Sequence, residues 1–422
     1  MREGKEGRGG FEGLDACVHC GFCLQACPTF LVTGDESDSP RGRIELMRAL
    51  ERGELSADDP ALSYHLDRCL GCRGCEPVCP SGVQYGHGLE AARRQLAAAR
   101  GVPRLARFAL WALTTRSVSR VVYWFARVLR ATGIPRRLAG WGRFRFAMGM
   151  LAATKPSDGR TVGRSDGKAQ ARSDRQTVRQ SVALFRGCVQ QGLFSHVHDA
   201  TVRTLGVNGY QVGEVQGQGC CGALHAHAGL LDQARALARA NVAAFGTGDA
   251  PIVVNSAGCG ALMKEYGHLL GDEAGERFGA RVRDVTELLA RDGMRGPLAG
   301  APLDLHVAYD PPCHLLHAQG VAVPPVRLFA AIPLLELVNV PGAAECCGSA
   351  GLFSLLEPEM SRAVLATKID HLRAAAPQVV ATGNPGCQMQ IGAGLRAAGL
   401  AVRVRHPVEL LDESYRAAGR YE

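Results

Sequence analysis

The chain has 422 residues, of which 46% are hydrophobic, 52 are glycines and 16 are cysteines. This hydrophobic fraction excludes a chain that is disordered throughout, and the length predicts two or three domains. The formal net charge is +8, and residues 101–150 contain ten arginines and no acidic residue. Because the positive charge is confined to one segment, composition argues against nucleic acid as a partner.

The sequence also predicts where the protein resides. Its first ten residues are polar and have no apolar core typical of a secretory signal. No apolar run approaches the roughly eighteen residues that would span a bilayer. Many cysteines in such a chain are typical of metal sites in a reducing compartment rather than of disulfides. We therefore expect a cytoplasmic protein that is at most peripheral on the inner face of the cell membrane.

Two cysteine runs within residues 1–100 share the spacing C-x2-C-x2-C-x3-C-P. They contain Cys17, Cys20, Cys23 and Cys27, then Cys69, Cys72, Cys75 and Cys79. In this motif three thiolates hold one [4Fe–4S] cluster, and the cysteine before the proline ligates the other cluster. The spacing therefore predicts two crossed ligand sets: Cys17, Cys20, Cys23 and Cys79 for one cluster, and Cys69, Cys72, Cys75 and Cys27 for the other. Zinc ribbons, the competing interpretation, use C-x2-C pairs and need neither the third cysteine nor the proline.

Helical patterns accompany the two runs. A turn followed by a helix is predicted at Pro40–Met47, and an alanine-rich helix at Leu89–Arg100. Residues 1–100 are thus expected to form an α-helical two-cluster ferredoxin domain.

A basic amphipathic helical segment is predicted at residues 101–150. Within Arg116–Arg130, four arginines fall on one stripe of a helix, and the opposite side carries Val118, Val121, Trp124, Phe125, Val128 and Leu129. Three interpretations remain open: the apolar side covers the protein itself, docks a partner subunit, or lies on an anionic membrane. Residues 151–181 are rich in Gly, Ser, Asp and Arg and predict a flexible linker.

Residues 182–300 and 301–422 are predicted to be two copies of one module. Three cysteines of the first copy, Cys188, Cys220 and Cys259, recur 125, 126 and 128 residues later as Cys313, Cys346 and Cys387. Each copy alternates β-rich runs with helical stretches, which predicts a small parallel sheet covered by helices. The fold class expected for the whole chain is α+β multidomain, with the helical domain followed by two duplicated α/β modules.

The module cysteines follow predicted strands, where sites form in parallel sheets. Each copy supplies four thiols: Cys188, Cys220, Cys221 and Cys259, then Cys313, Cys346, Cys347 and Cys387. Four thiols of this kind can hold a further iron–sulfur cluster or zinc. Redox-active thiols are the competing use, because His225, His314 and His317 lie close in sequence and a nearby cation lowers a thiol's pKa. Gly217–Gly222 matches G-x-G-x-x-G only weakly as a dinucleotide motif, since the second copy lacks its first two glycines.

Several stretches together have counterparts in one known family. They are Ala16–Cys23, Gly34–Glu36, Pro40–Ile44, Leu66–Cys72, Ser256–Gly260, Lys264–Gly267, His317–Gln319 and Cys346–Gly351. In these stretches the chain resembles the iron–sulfur subunit of bacterial glycolate oxidase (glycolate dehydrogenase), and its Cys-Cys-Gly modules resemble those of heterodisulfide reductase relatives. Such modules usually end in C-x-x-C, whereas Ser256 and Asn384 replace the first cysteine here. A four-thiol site and a module without metal both remain open.

The resemblance implies a complex with FAD-binding glycolate oxidase subunits that oxidise glycolate to glyoxylate. This chain would pass electrons from FAD toward a quinone or another membrane acceptor and would itself lack the substrate-oxidising site. One alternative is the iron–sulfur subunit of a lactate dehydrogenase complex. Another is a heterodisulfide or thiol reductase that acts at the Cys-Cys-Gly modules.

Overall fold

The computed structural model describes residues 10–156, 180–290 and 298–421, which form two compact units. The first unit contains Met1–Trp111, Gly222–Ala234 and Glu345–Ala366. The second contains Ala112–Cys221, Arg235–Ala344 and Thr367–Glu422. The predicted linker falls mainly on residues 157–179, which lie outside the described residues.

The first unit is helical. Its N-terminal helices are α1 (Pro28–Thr33), α2 (Pro40–Glu51), α3 (Pro60–Asp67), α4 (Tyr85–Arg100) and the first part of α5 (Arg104–Thr114). Proline opens α1, α2 and α3, where its missing N–H costs nothing. Ser39 caps α2 by accepting from the Gly42 N–H, and Asp59 caps α3 by accepting from the Ala61 N–H. These caps fix where the chain turns between the two cysteine runs.

The second unit begins with three helices from the basic segment. They are α6 (Arg116–Ala131), α7 (Ile134–Leu138) and α8 (Arg143–Ala153). Helix α6 buries Tyr123, and the Arg130 guanidinium donates to the carbonyl oxygens of Thr154 and Leu193 at 2.8 and 3.1 Å. Its apolar side, including Trp124 and Phe125, is exposed. The described residues therefore leave most of this apolar side uncovered, contrary to the interpretation in which it covers the protein itself.

The first module contains a parallel four-stranded sheet of order β2-β1-β3-β4. Its strands are β1 (Gln180–Leu184), β2 (Tyr210–Gly213), β3 (Ile252–Val254) and β4 (Val282–Asp284). Its helices are α9 (Val189–Leu193), α10 (Ser195–Val207), α11 (Ala223–His227), α12 (Leu231–Phe245), α13 (Ala257–Lys264), α14 (Tyr266–Leu270), α15 (Glu273–Arg281) and α16 (Val285–Leu289). Helix α11 and the start of α12 belong to the first unit.

The second module repeats this topology with the order β6-β5-β7-β8, again all parallel. Its strands are β5 (Leu305–Tyr309), β6 (Leu335–Val338), β7 (Val379–Ala381) and β8 (Arg403–Arg405). A π-helical turn covers His314–Ala318, and the helices are α17 (Val323–Ala330), α18 (Phe353–Leu356), α19 (Pro358–Ala375), α20 (Pro385–Ala397) and α21 (Pro407–Ala417). The predicted duplication and fold class are confirmed.

The two sheets belong to one core within the second unit. Leu184 and Val253 of the first sheet share a buried cluster with Val307 and Val379 of the second. Helix α10 of the first module packs on α21 of the second, and α16 of the first packs on α17 of the second. Each module therefore contributes two helices to the contact between the modules. The Arg203 guanidinium of α10 donates two hydrogen bonds of 2.8 Å to the Asp412 carboxylate of α21.

No helix formed by the described residues is both long enough and apolar enough to cross a bilayer.

Candidate metal centres

The two ferredoxin-type runs follow the same backbone path. His19 and Gly71, each two residues after the first cysteine of its run, have φ angles of 56° and 62°. Gly21 and Arg73, each one residue after the second cysteine, have φ angles of 84° and 59°. The left-handed backbone conformation is energetically unfavourable for His and Arg, and it persists only where the surrounding structure imposes it. Matching left-handed positions curl each run around a centre of its own.

One group of thiols surrounds a small cavity in the first unit. The cysteines that line it are Cys17, Cys20, Cys23, Cys75 and Cys79. Burial raises the pKa of Cys23, and the neighbouring Cys17 and Cys20 thiols raise it further. Cys79, from the second run, thus lies with the three leading thiols of the first run.

The second group lies around Cys75. Burial raises the pKa of this thiol well above its usual value, and the nearby Cys72, Cys69 and Cys27 thiols add to the rise. Cys27, from the first run, therefore lies with three thiols of the second. On this geometry we propose the two crossed ligand sets that the spacing predicts.

A buried arginine lies beside the second group. Arg43 has no exposed surface, and its guanidinium pairs with the Asp38 carboxylate at 3.1 Å and lies 3.9 Å from the Cys27 Sγ. Burial opposes the charge of Arg43, but the surrounding Cys69, Tyr85, Cys27 and Asp38 groups raise its pKa overall. Sequence reasoning missed this residue.

The same charge acts on Cys69. Burial raises the pKa of this thiol, but the Arg43 and Arg93 guanidinium groups outweigh burial and leave the pKa lowered. The Tyr85 hydroxyl and the Gly71 N–H also donate to the Cys69 Sγ, at 3.5 and 3.4 Å. Cys69 is therefore prepared to exist as a thiolate, the form that ligates iron.

Asp35, Asp38 and His65 form a group whose ligand atoms lie within 4.8 Å of one another. Asp38 also pairs with Arg43 and Arg68. The positive charge of these two guanidinium groups disfavours the binding of a metal cation at the Asp38 carboxylate. We therefore assign Asp35, Asp38 and His65 to a network of ion pairs rather than to a metal site.

All sixteen cysteines lie among the described residues, and all of them are thiols rather than disulfides. In the first unit, two four-thiol sets with nearby N–H, O–H and guanidinium donors fit two [4Fe–4S] clusters.

The first module brings its four thiols together at the carboxyl ends of three adjacent strands. Cys188 follows β1, the Cys220-Cys221 pair follows β2, and Cys259 lies in the first turn of α13 after β3. The Sγ atoms of Cys188 and Cys220 are 3.7 Å apart, and the Cys221 thiol hydrogen-bonds with those of Cys220 and Cys259. These hydrogen bonds and burial raise the pKa of Cys221 well above its usual value.

Ser256 and Asn384, which replace the missing cysteines, act on the remaining thiols. The Ser256 hydroxyl donates to the Cys259 Sγ at 3.4 Å, and the Asn384 amide donates to the Cys387 Sγ at 3.5 Å. Both residues are N-caps, of α13 and α20. In both modules this position supplies a hydrogen bond to sulfur instead of a ligand.

A buried tyrosine adjoins the first module's thiols. Burial raises the pKa of Tyr123, and Cys188 and Cys220 raise it further. Its hydroxyl is buried, and the described residues offer it no hydrogen-bond partner. An orphaned donor at four thiols fits a group held there that accepts a hydrogen bond, such as a cluster sulfide or a thiolate.

The second module's thiols are divided between the units. Cys346 and Cys347 belong to the first unit, and Cys313 and Cys387 to the second. The Gly348 N–H donates to the Cys346 Sγ at 3.4 Å, and the Cys313 Sγ lies 3.6 Å from the His314 Nδ1.

The other two histidines near module cysteines have different surroundings. His317 Nε2 lies 3.2 Å from the Ala344 carbonyl oxygen, and His225 is buried in the first unit. His314 thus contacts a module thiol directly.

The Arg43 charge should raise the midpoint potential of the cluster held by the second thiol group. In a double variant, Arg43→Met with Asp38→Asn, neither member of the buried pair is left as a charge without the other. We expect the midpoint potential of one cluster to fall by some tens of millivolts (roughly 50 mV). The Arg43 charge alone would be worth about 2–4 kcal/mol at an effective dielectric constant of about 20, and the simultaneous loss of the Asp38 carboxylate offsets part of it. An EPR-monitored redox titration measures this shift.

The control for that titration is Arg52→Met with Glu54→Gln, which removes an exposed ion pair of the same unit. It should leave both potentials within about 20 mV of the original, because exposed pairs are strongly screened. If the midpoint potentials of the clusters were the same in the Arg43 variant as in the Arg52 variant, the role given to Arg43 would be contradicted.

Comparison with known families and proteins agrees with this organisation. A 4Fe–4S dicluster domain model matches residues 13–83, and a cysteine-rich domain model matches residues 182–264 and 307–392. The N-terminal region is therefore a 4Fe–4S dicluster domain, and the chain is an iron–sulfur protein with two [4Fe–4S] clusters.

Individual relatives show more closely to which protein family the chain belongs. A probable glycolate oxidase iron–sulfur subunit of Bacillus subtilis is 33% identical over 96% of this chain and 94% of its own length. The glycolate oxidase iron–sulfur subunit of Escherichia coli is 33% identical over 95% of this chain and 94% of its own length. Lactate utilization protein A of Geobacillus kaustophilus is 31% identical over 55% of this chain and 98% of its own length. The chain belongs to the family of glycolate oxidase iron–sulfur subunits.

Proposed function

We propose that this chain is the electron-transfer subunit of a flavin-dependent 2-hydroxyacid dehydrogenase complex. FAD-binding subunits would oxidise glycolate to glyoxylate, and this chain would carry the electrons toward a quinone or another membrane acceptor. When bound, the two [4Fe–4S] clusters supply one-electron redox centres. The protein's own residues place these centres, set their charge environment and exclude water from them.

The observation that carries the proposal is the shared position of Cys75. This residue lines the cavity of the first thiol group and is also a neighbour of Cys69 and Cys72 in the second. The two centres therefore have a common wall, which gives electrons a short path between them. The Arg43 guanidinium favours the more reduced, more negative state of the second centre, so it promotes transfer in that direction.

The glycine-rich stretch at Gly217–Gly222 supports placing substrate oxidation on other subunits. The Gly219 N–H donates to the Asn241 Oδ1 at 2.9 Å, and Arg116 donates to the Gly217 carbonyl oxygen at 3.1 Å. A dinucleotide site needs such amides for pyrophosphate. Here the loop instead presents Cys220 and Cys221.

Glycolate is the first candidate substrate of the complex. The relatives named for glycolate oxidase match 95–96% of this chain, whereas the relative named for lactate utilization matches 55%. Lactate is therefore the second candidate. Because the flavoprotein partner selects the acid, the test must use the assembled complex.

The electron-transfer role predicts that loss of one cluster ligand separates two half-reactions. In the complex with Cys72→Ser, glycolate should still bleach FAD, but acceptor reduction should fall at least about tenfold. Stopped-flow absorbance and EPR under anaerobic conditions measure the two steps. If Cys72→Ser also abolished FAD bleaching in an assembled complex, this chain would take part in substrate oxidation and the proposal would fail.

Cys220→Ser is the matched variant for the competing thiol-reductase function. The electron-transfer role predicts that this variant keeps glycolate-dependent reduction of both N-terminal clusters. Disulfide reduction by the original protein that is lost in Cys220→Ser would support the thiol reductase instead.

We further propose that the basic segment lies on an anionic membrane. The α6 side chains Trp124 and Phe125 are 55% and 61% exposed. Val121 and Val128 lie on the same side and are also exposed. Residues 101–150 add ten arginines without any acidic residue. Exposed aromatic side chains with arginines are typical of helices that lie in the interface of anionic membranes.

Vesicle binding tests this surface. We expect the protein to co-sediment with phosphatidylglycerol-containing vesicles at low salt and to be released at high salt, because each arginine near the surface contributes about 1 kcal/mol. The variant Trp124→Ser with Phe125→Ser should bind at least about tenfold more weakly. The control Val323→Ser with Val326→Ser removes exposed apolar side chains of α17 and should bind like the original.

Two outcomes would contradict the membrane proposal. One is an absence of vesicle binding, and the other is equal binding by the α6 and α17 variants. If the α6 variant instead lost the FAD subunits while vesicle binding was unchanged, the surface would be a subunit interface.

A further inference from the structure

A cavity of about 420 Å³ lies in the first unit against the second cysteine run. Cys69 and Leu70 form one side of it, and α4 contributes Arg93 and Leu96. The volume falls within the range of roughly 300–1,000 Å³ that small-molecule sites occupy. Because Cys69 lines it, a molecule in this cavity would lie directly against a proposed cluster ligand.

The duplicated modules supply the opposite walls. Leu224 and His227 come from the stretch after the first Cys-Cys pair, and Ala350 and Phe353 from the stretch after the second. These residues are equivalent, since 126 residues separate each pair, as they separate Cys220 from Cys346. The first unit thus combines the dicluster region with one matching segment from each module, and the cavity lies where they meet.

The charges around the cavity do not suit an acid. Arg93 donates to the carbonyl oxygens of Cys69 and His227 at 2.6 and 3.2 Å, and Arg100 pairs with Asp67. Both arginines among the lining residues are thus engaged, Arg100 with a carboxylate and Arg93 with carbonyl oxygens. A carboxylate or phosphate would find no uncommitted guanidinium there, whereas the remaining, mostly apolar lining suits a neutral ring.

A carboxyl group is present for proton transfer. Glu357 lines the cavity, and its burial raises its pKa, an effect that Arg68 only partly opposes. A half-buried carboxyl of this kind can hold a proton and pass it to a ligand oxygen.

The cavity also adjoins an exposed apolar helix face. Gly101 and Pro103, which join α4 to α5, line the cavity and are exposed. On α5 the side chains of Leu105, Phe108 and Trp111 are exposed as well. A lipophilic ligand would reach the cavity along this face.

We propose that this cavity binds a quinone ring and is the site where the electrons leave the chain. The inference rests on the proposed electron-transfer function and names its acceptor. The quinone gains two electrons, which come from hydroxyacid oxidation and enter from the Cys69 side. It also gains two protons at its oxygens, through Glu357 and from solvent, and becomes the quinol. The hydroxyacid is oxidised and releases two protons to solvent, so electrons and protons balance.

The test uses the assembled complex and two matched leucine variants. Leu352→Trp places a large side chain in the cavity lining, whereas Leu355→Trp changes an exposed leucine one turn along that is not part of the lining. With a short-chain ubiquinone analogue, Leu352→Trp should lower quinone reduction at least about tenfold, and Leu355→Trp should leave it within about twofold. Glycolate-dependent reduction of the clusters, followed by EPR, should remain normal in both.

A photoreactive quinone analogue gives a readout that needs no turnover. In the original complex it should label peptides containing Leu224–Ala228 or Leu352–Glu357, and Leu352→Trp should lose this labelling. Glu357→Gln, a conservative change, should keep the labelling but slow quinone reduction, because it cannot supply a proton.

The outcomes separate the two proposals. Normal quinone reduction and labelling in Leu352→Trp would overturn the cavity assignment and leave the electron-transfer function intact. Labelling only elsewhere in the original complex would do the same. If glycolate failed to reduce the clusters of the original complex, the electron-transfer function itself would fail.

Discussion

The first unit depends on one constraint: each of two iron–sulfur centres needs four thiolates, and neither cysteine run supplies all four from its own leading positions. In the ligation that we propose, Cys79 reaches the first run and Cys27 reaches the second. The helices between the runs make this possible, because capped turns at Ser39 and Asp59 bring residues about fifty positions apart in sequence to the same place. The left-handed residues within each run then curl the backbone around its centre.

The charges buried around the centres follow from the same constraint. Thiolates in a dry interior are costly unless positive charge or hydrogen-bond donors compensate them. Arg43 supplies such a charge, and Asp38 holds the arginine in place. The modules use neutral donors instead, since the Ser256 hydroxyl and the Asn384 amide donate to cysteine sulfur.

Much of this organisation could be predicted from sequence, and the reasons for the exceptions are physical. The cysteine spacing predicted a region that binds two clusters, and the repeat predicted two parallel sheets. Strands β4 and β8 were not predicted, because charged residues interrupt their short sequences, Val-Arg-Asp and Arg-Val-Arg, whereas the equally short β3 and β7 are wholly apolar. The capping boxes that follow them, Asp284 with Glu287 and His406 with Glu409, were the available signal. The role of Arg43 depends on tertiary burial, although its position on the inward stripe of α2 with Met47 and Leu50 was visible in the sequence.

The crossed ligation is the claim on which the rest of the account depends, and spectra of single-serine variants test it most directly. Each variant should lose or alter one cluster, and EPR with Mössbauer spectroscopy shows which one. The account predicts that Cys79→Ser perturbs the same cluster as Cys20→Ser, and that Cys27→Ser perturbs the same cluster as Cys72→Ser. If Cys79→Ser instead matched Cys72→Ser, each run would ligate its own cluster and the account would be wrong.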